Sequence, residues 1–112
     1  MKLSYTLLFA SVWAAPALAS VEQDVEVLIG QIEHSPCVFI RNGDQYNSQQ
    51  AAEHIRNKWN YAKDDVTDIE MFISDVASKS WFSGKPYMVE CAEQVMSSEV
   101  WLRQLWRQAN KP

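Results

Sequence analysis

Apolar residues at the spacing of an amphipathic helix mark two segments in the first half of the chain. The first segment covers about residues 22–34 and stops before Pro36. The second begins at a cap, Asn47 or Ser48, and runs to about Lys63. In each, apolar side chains recur at three- and four-residue intervals, so one face of the helix is predicted to pack into a core.

Two further helices are predicted in the second half. Thr67 and Glu70 have the three-residue spacing of a capping box, in which each side chain binds the backbone N–H of the other residue. The last helix begins at a cap, Ser97 or Ser98, and carries two tryptophans and two leucines along its length. The chain is therefore predicted to contain four helices.

Two short segments between these helices have the composition of strands. Residues 37–40 are apolar, β-branched or aromatic, and they are followed by Asn42-Gly43, a strong turn signal. Residues 86–90 form the second predicted strand, after a loop over residues 80–85 in which Gly84 can adopt a positive φ. The predicted order of elements is α-β-α-α-β-α.

The two cysteines, Cys37 and Cys91, predict how the strands pair. A disulfide between the start of one strand and the end of the other requires an antiparallel register in which the cysteines face each other. The pairs that follow are Phe39 with Val89 and Arg41 with Tyr87. We therefore predict an α+β fold in which four helices pack around a two-stranded antiparallel ribbon held by one disulfide.

The first 19 residues have the features of a secretory signal peptide. Met1-Lys2 is a short basic start, residues 3–18 are mostly apolar, and Ala17-Leu18-Ala19 supplies the small residues of a cleavage site before Ser20. We expect an exported protein, periplasmic in a Gram-negative bacterium, with a single domain over residues 20–112. That mature chain carries no predicted transmembrane segment, and an oxidising compartment favours the disulfide.

The charge of the mature chain bears on the partners it can have. Without Lys2, nine basic side chains face fourteen acidic ones, a net side-chain charge of −5. A nucleic-acid partner calls for a basic stripe, so we predict none. The sequence shows no low-complexity tract and no internal repeat.

Two segments of this sequence resemble a known family. They are CVFIRNGDQYNSQQAAEHIRNKW and TDIEMFISDVASKSWFSGKPYMVEC, with the shared residues Phe39, the Arg41-Asn42-Gly43 turn and the Ser83–Tyr87 segment among them. The pattern is similar to that of the YfeK-like family of small exported bacterial proteins of unknown function, over about residues 25–95. The resemblance implies export and one compact domain, and it implies no activity.

Polar side chains converge at one end of the predicted ribbon. Arg41 and Asn42 directly follow the first strand, and the predicted register continues to place Gly43 opposite Lys85, which directly precedes the second strand. Tyr87 lies in that strand, and His54 lies nearby on the second helix. Two cations and a phenol suit an anionic group, so the leading hypothesis is a small binding or structural module whose partner is a small anionic ligand or an envelope protein. A plain turn at Asn42-Gly43 and a solvated Lys85 are the structural alternatives.

Two other functions stay open from the residues alone. A small envelope enzyme could use His54 as an acid or base with Lys58 or Tyr87, although no catalytic motif accompanies it. The structural alternative is that His54 and Lys58 both lie at the edge of the apolar face of the helix, where the charged end of Lys58 reaches water and His54 hydrogen-bonds to a neighbouring element. An inhibitor or immunity protein would suit the size, acidity and disulfide. His34 with the two cysteines resembles a metal site, but oxidised cysteines cannot bind a metal, so we predict no metal and no cofactor.

Overall fold

The computed structural model describes residues 20–110. The helices are α1 (Val21–Glu33), α2 (Ser48–Ala62), the short α3 (Ile69–Met71) and α4 (Ser98–Ala109), and the strands are β1 (Val38–Arg41), β2 (Asp44–Tyr46), β3 (Met88–Cys91) and β4 (Gln94–Ser97). A 3-10 turn, Lys63–Asp65, follows α2, and a π-helical segment, Phe72–Val76, continues α3. The predicted signal peptide over residues 1–19 lies outside the described residues.

The four strands form one antiparallel sheet in the order β2-β1-β3-β4. The prediction of a two-stranded ribbon was wrong in strand number, because each predicted strand is one arm of a hairpin. The register of the central pair is confirmed, with Phe39 opposite Val89. The disulfide between Cys37 and Cys91 is confirmed as well, and their Cα atoms lie 4.5 Å apart.

Two-residue turns produce the additional strands. Asn42 and Gly43 both have positive φ, at 52° and 84°, so β1 reverses directly into β2 instead of leading to the helix start. Ala92 and Glu93 make the same turn between β3 and β4 with φ of 52° and 67°. A residue other than glycine or asparagine costs roughly 1–2 kcal/mol at positive φ, so turns of this kind are recognised in a sequence by glycine or asparagine. Ala92-Glu93 contains neither and therefore gives no turn signal.

The two hairpins belong to equivalent halves of the fold. Each hairpin runs directly into a helix, β1-β2 into α2 and β3-β4 into α4, and equivalent residues differ by 50 in number. Asn47 and Ser97 are equivalent, and each caps its helix by accepting a hydrogen bond from a backbone N–H three residues on. Phe39 and Val89 are also equivalent and lie opposite each other, so an approximate twofold axis passes between them. The repeat is one of structure, not of sequence.

Two of the three predicted helix caps hold in the structure, and the cap of α1, Ser20, was not predicted from the sequence. Ser20 and Asn47 cap α1 and α2 with full capping boxes, and Ser97 caps α4. The cap of α3 is Asp68, whose carboxylate accepts from the backbone N–H of Met71 at 2.8 Å. The prediction of Thr67 as this cap was therefore one residue too early. Threonine and aspartate are both good N-cap residues, so the sequence alone could not show which of the two neighbours caps the helix.

The core lies between the sheet and the four helices. Phe72 stacks edge-to-face on Trp59 of α2, and Phe39 does so on Trp101 of α4. Aliphatic side chains from α1, α2, the π-helical segment, β3 and α4 complete it: Val25, Leu28, Ile29, Ile32, Ile55, Ile73, Val76, Val89 and Leu102. Among residues 20–110, no helix is both long and apolar enough to cross a bilayer.

Candidate functional site

Helix α2 brings two polar side chains against the end of the central strand pair. Ala52, Ile55 and Trp59 bury one side of α2 in the core. His54 and Lys58 lie one turn apart beside that apolar stripe, so they face the end of β1 and the residue that precedes β3. Tyr87 is that residue, and by the register of the central pair it lies opposite Arg41.

Arg41 contacts two neutral partners. Its Nη1 lies 2.6 Å from Nδ1 and 2.7 Å from Nε2 of His54, and its Nη2 donates to the Tyr46 hydroxyl at 2.9 Å. The guanidinium carbon also lies 4.5 Å from the centre of the Tyr46 ring. Strand β2, which sequence reasoning missed, places Tyr46 here, and these contacts hold the guanidinium at the end of the sheet.

Tyr87 joins His54 to Lys58. Its hydroxyl lies 3.0 Å from Nε2 of His54 and 3.0 Å from Nζ of Lys58. The four side chains therefore form one hydrogen-bonded series from Arg41 through His54 and Tyr87 to Lys58. We call these residues, with Tyr46, the polar cluster.

The surroundings of His54 keep its ring neutral. Burial, followed by the charges of Arg41 and Lys58, lowers the pKa of His54 to about 4, so the ring is neutral at pH 7. A guanidinium only donates, so the ring nitrogen that pairs with Arg41 must accept. Nη1 of Arg41 lies almost equally close to both ring nitrogens, but only Nε2 also contacts the Tyr87 hydroxyl. Nδ1 as the acceptor and Nε2 as the donor to Tyr87 is therefore the arrangement that gives every group a partner. Burial raises the pKa of Tyr87, so its hydroxyl also stays protonated.

Lys58 is buried, although its position on the helix suggested that its charged end would reach water. Its Nζ donates to the Lys79 carbonyl at 2.7 Å and lies 4.4 Å from the centre of the Trp81 ring. Burial, followed by the charges of Arg41 and Lys79, lowers the pKa of Lys58 to about 8. The side chain is still mostly protonated at pH 7, and a partner 21 residues away in the chain holds it inside.

The polar cluster offers more hydrogen-bond donors than acceptors. Arg41 contacts His54 through Nη1 and Tyr46 through Nη2, which leaves further N–H donors of the guanidinium, and Lys58 donates to a carbonyl and a phenol. Tyr87 accepts from both of its neighbours, so its own hydroxyl hydrogen is free to donate. All these partners of the two cations are uncharged. The ion pairs of the described residues lie elsewhere, between Arg56 and Glu26 and between Arg103 and the carboxylates of Glu70 and Glu99.

Two cavities meet at the polar cluster. The first, which we call the polar recess, has a volume of about 330 Å³. Arg41 and Lys58 line it together with one acidic residue, Asp44, and the exposed Trp81 and Phe82 lie at its rim. The second, the apolar cavity, has a volume of about 240 Å³ and extends among Phe39 and other core side chains. Four residues line both cavities: Arg41, Tyr46, His54 and Tyr87.

The loop before β3 closes one side of the polar recess. Asn42 donates to the Ser80 hydroxyl at 3.3 Å and accepts from the Ser83 hydroxyl at 2.6 Å, so the β1-β2 turn is attached to this loop. The loop itself is closed by a hydrogen bond from the Ser80 N–H to the Lys85 carbonyl. Gly84 has a φ of 75°, as predicted.

Four of the five predicted site residues surround the polar recess. Arg41, Asn42, His54 and Tyr87 line it, whereas Lys85 is exposed in the loop and does not line it. Lys58 supplies the second cation in its place. Helical spacing from His54 singled out Lys58 but gave it a surface role, because nothing in the sequence links it to the Lys79 carbonyl. Trp81 and Tyr46 carried no signal of their own.

The residues considered for a metal do not form a site. Cys37 and Cys91 are joined as a disulfide, and His34 binds the Gly30 carbonyl through Nδ1 at 2.8 Å. Within residues 20–110, side chains that bind metals do not come together in a group of three or more.

Comparisons with known proteins place the chain in a family. A family profile described as "Family of unknown function (DUF5329)" matches residues 19–110. The chain is similar to an uncharacterized protein YfeK of Salmonella typhimurium, with 35% identity over 77 residues, and the match covers 64% of this chain and 64% of that relative. No solved structure matches the chain significantly. The YfeK-like resemblance is thus confirmed, and the chain belongs to the DUF5329 family of unknown function.

Proposed function

We propose that this protein is a small exported binding module whose polar recess takes a small anionic ligand. The observation that supports this is the surplus of donors on Arg41 and Lys58, whose hydrogen-bond partners are all uncharged. Two like charges near one another in a half-buried site repel, and that repulsion contributes to the lowered pKa of Lys58. A bound anion would accept hydrogen bonds from both cations and remove this cost.

The aromatic rim of the recess suits a ligand that is held out of bulk water. Trp81 lies over the Lys58 ammonium and donates its indole N–H to the Asp75 carbonyl at 2.8 Å, which fixes the ring in place. Partial exclusion of water strengthens the attraction between a bound anion and the two cations. The recess therefore favours a small anion over a large charged surface.

Binding of simple anions tests this proposal. Phosphate, sulfate and acetate are added at constant ionic strength, and the melting temperature is compared with that in chloride alone. A ligand at about 100 times its dissociation constant stabilises the folded state by about 2.7 kcal/mol, which raises the melting temperature by several degrees in a domain of this size. A melting temperature unchanged by every anion would contradict the proposal.

Matched variants locate the binding. Arg41→Gln keeps a hydrogen-bonding side chain but removes the charge, and it should abolish the anion-dependent shift. Arg56→Gln removes a cation from the surface of the same region, where it pairs with Glu26 at 2.6 Å, and should leave the shift intact. Equal loss in both variants would indicate a general charge effect instead of a site.

Export to the periplasm is part of the proposal. The signal-like start, the disulfide and a family match that begins at residue 19 support it. Ser20 is also the cap of α1, so cleavage after Ala19 would leave the helix cap as the new terminus. Cell fractionation and intact mass of the mature chain test this: a periplasmic chain starting at Ser20 is expected, and an uncleaved cytoplasmic chain would contradict it.

An exposed aromatic patch supports a second candidate, a protein partner of the inhibitor or immunity type. Phe82 is 98% exposed and Tyr61 84% exposed, and the Tyr61 ring lies 5.9 Å from the half-exposed ring of Trp81. A photo-crosslinking amino acid at Phe82 should then yield one specific adduct in cells, and the same group at Val95, exposed on the sheet, should not. No adduct at Phe82 would count against a partner on this face.

The arrangement does not favour the enzyme hypothesis. An efficient acid or base at neutral pH needs a pKa near 7, whereas that of His54 is lowered to about 4. Its two nitrogens are also engaged by Arg41 and Tyr87. We assign His54 to the framework that orients Arg41.

A further inference from the structure

The apolar cavity lies directly behind the polar cluster. Buried side chains from the sheet and three helical segments surround it, among them Phe39, Ile55, Ala77, Trp101 and Leu102, each at most 8% exposed. Its opening runs along α2, where Gln50 and Glu53 lie at the edge. Asn57 and Ser98 also contribute to its lining, so the cavity has an apolar interior with the polar cluster at one end and further polar residues around its walls. An apolar space with a few polar groups has the character of a ligand pocket.

Arg41 connects this cavity to the anion site. Arg41 lines both the polar recess and the apolar cavity, as do His54, Tyr46 and Tyr87. An anion bound to Arg41 at the boundary can therefore direct an attached group into the apolar cavity. Lys58 lines the recess but not the apolar cavity, so an anion at the cavity contacts one cation, Arg41. That arrangement suits a ligand with a single negative charge.

The volume limits the size of the attached group. At about 30 Å³ for each water-sized group, a cavity of about 240 Å³ holds roughly eight non-hydrogen atoms. That is a phenyl ring with two further carbons, or a chain of about eight carbons. The planar edge of a carboxylate matches the fork of the guanidinium.

From these observations we infer that the anion is a carboxylate bearing an apolar group of up to about eight carbons, with the carboxylate on Arg41 and the apolar group in the apolar cavity. This inference rests on the proposed anion site and names the class of its ligand. Such a group occurs in a free acid and in the last residue of a peptide ending in an apolar side chain.

A homologous series of carboxylates tests the inference by calorimetry. Acetate, butanoate, hexanoate, octanoate, decanoate and 3-phenylpropanoate are titrated into the mature protein at pH 7. Each added methylene should tighten binding about three- to fourfold until the cavity is full, and the gain should stop near eight carbons. Equal affinity across the series would overturn the inference while leaving the anion site intact, whereas absence of binding for every anion would overturn both.

Variants that fill the cavity provide the independent test. Ala51→Leu on α2 and Ala77→Leu each place a larger side chain in the lining of the cavity. Either variant should weaken the binding of hexanoate and 3-phenylpropanoate at least tenfold and leave the binding of acetate unchanged. Ala109→Leu, at an exposed position of α4, is the control and should change neither. Ala51 is only half-buried, so if Ala77→Leu fails to fold, Ala51→Leu still tests whether the apolar group occupies the cavity.

Two further probes distinguish the source of the carboxylate. N-acetylphenylalanine represents the end of a peptide. In N-acetylphenylalanine amide, the second probe, a neutral carboxamide replaces the carboxylate. Binding of 3-phenylpropanoate with rejection of N-acetylphenylalanine indicates a free acid, and binding of both indicates a peptide end. The amide should bind at least tenfold more weakly than the acid. Equal binding of acid and amide would overturn the assignment of the carboxylate to Arg41.

Discussion

The two ends of the central strand pair are equivalent in the fold and opposite in chemistry. The approximate twofold axis between Phe39 and Val89 relates the pair Cys37 and Cys91 at one end to the pair Tyr87 and Arg41 at the other. One pair is a covalent link. The other is a polar contact region that opens on two cavities.

The equivalent helices differ in the same way. At the open end, α2 presents His54 and Lys58 to the cluster, whereas the equivalent positions of α4, Gln104 and Gln108, are exposed. Burial of Lys58 among uncharged partners costs stability, as its lowered pKa indicates. The fold is therefore stabilised by the disulfide at one end and holds a destabilising cluster of charges at the other, as binding sites commonly do.

The largest expected effect concerns the covalent end. Replacing Cys37 and Cys91 together with alanine should lower the free energy of unfolding by roughly 2–4 kcal/mol, because the disulfide closes a loop with a sequence separation of 54. Urea denaturation of the variant and the wild type measures this. A loss below about 1 kcal/mol would contradict the claim that the disulfide end is the one that stabilises the fold.

Protonation of Lys58 should control binding at the open end. A bound anion raises the pKa of Lys58 from about 8, so below pH 8 the affinity is nearly constant. Above pH 8 the free protein loses the Lys58 proton first, and the affinity should fall by up to about tenfold per pH unit. Phosphate titrations at pH 7–10 measure it, with Lys58→Met as the control that should lack this dependence. A flat wild-type profile would place the anion away from Lys58.

Protonation of His54 should weaken the folded state in acid. Its pKa is about 4 when folded and 6.5 when unfolded, so between these values the unfolded chain binds more protons, and stability falls as the pH drops from 6.5 towards 4. The loss is at most about 1.4 kcal/mol per pH unit, and solvent screening reduces it. Because other groups titrate too, the measured quantity is the difference between wild type and His54→Gln. Parallel curves would show that His54 is not held neutral.

The smallest effects concern the two turns. Gly43 has a φ of 84°, so Gly43→Ala should destabilise the protein by about 1 kcal/mol. Glu93 has a φ of 67° without being glycine, so Glu93→Gly should stabilise it by up to about 1 kcal/mol. Thermal denaturation measures both, with Ala109→Gly in α4 as a destabilising control. Opposite signs at the two turns are expected, and the same sign would contradict their equivalence.

Much of the fold followed from local patterns. The helical stripes, the caps at Asn47 and Ser97, and the register set by the two cysteines all hold in the structure. Strands β2 and β4 were missed because three or four mostly polar residues show no clear alternation. The Ala92-Glu93 turn was missed because it lacks glycine and asparagine.

The candidate site was predicted in part, for a similar reason. The register placed Arg41 opposite Tyr87, and helical spacing related His54 to Lys58. Lys85 was chosen as the second cation because the register placed it near Gly43, but its side chain lies outside the recess. Lys58 took that place because the Lys79 carbonyl, Tyr87 and Trp81 enclose it, all from distant parts of the chain.

The sequence alone therefore determined what depends on neighbours along the chain and on one covalent pair: helices, caps, the first turn and the central register. Tertiary structure alone decided the four-stranded sheet, the equivalence of its halves, the burial of Lys58 and the two cavities that meet at Arg41. The physical reason is that burial and hydrogen bonding of a side chain depend on groups that folding brings near it, whatever their distance in sequence.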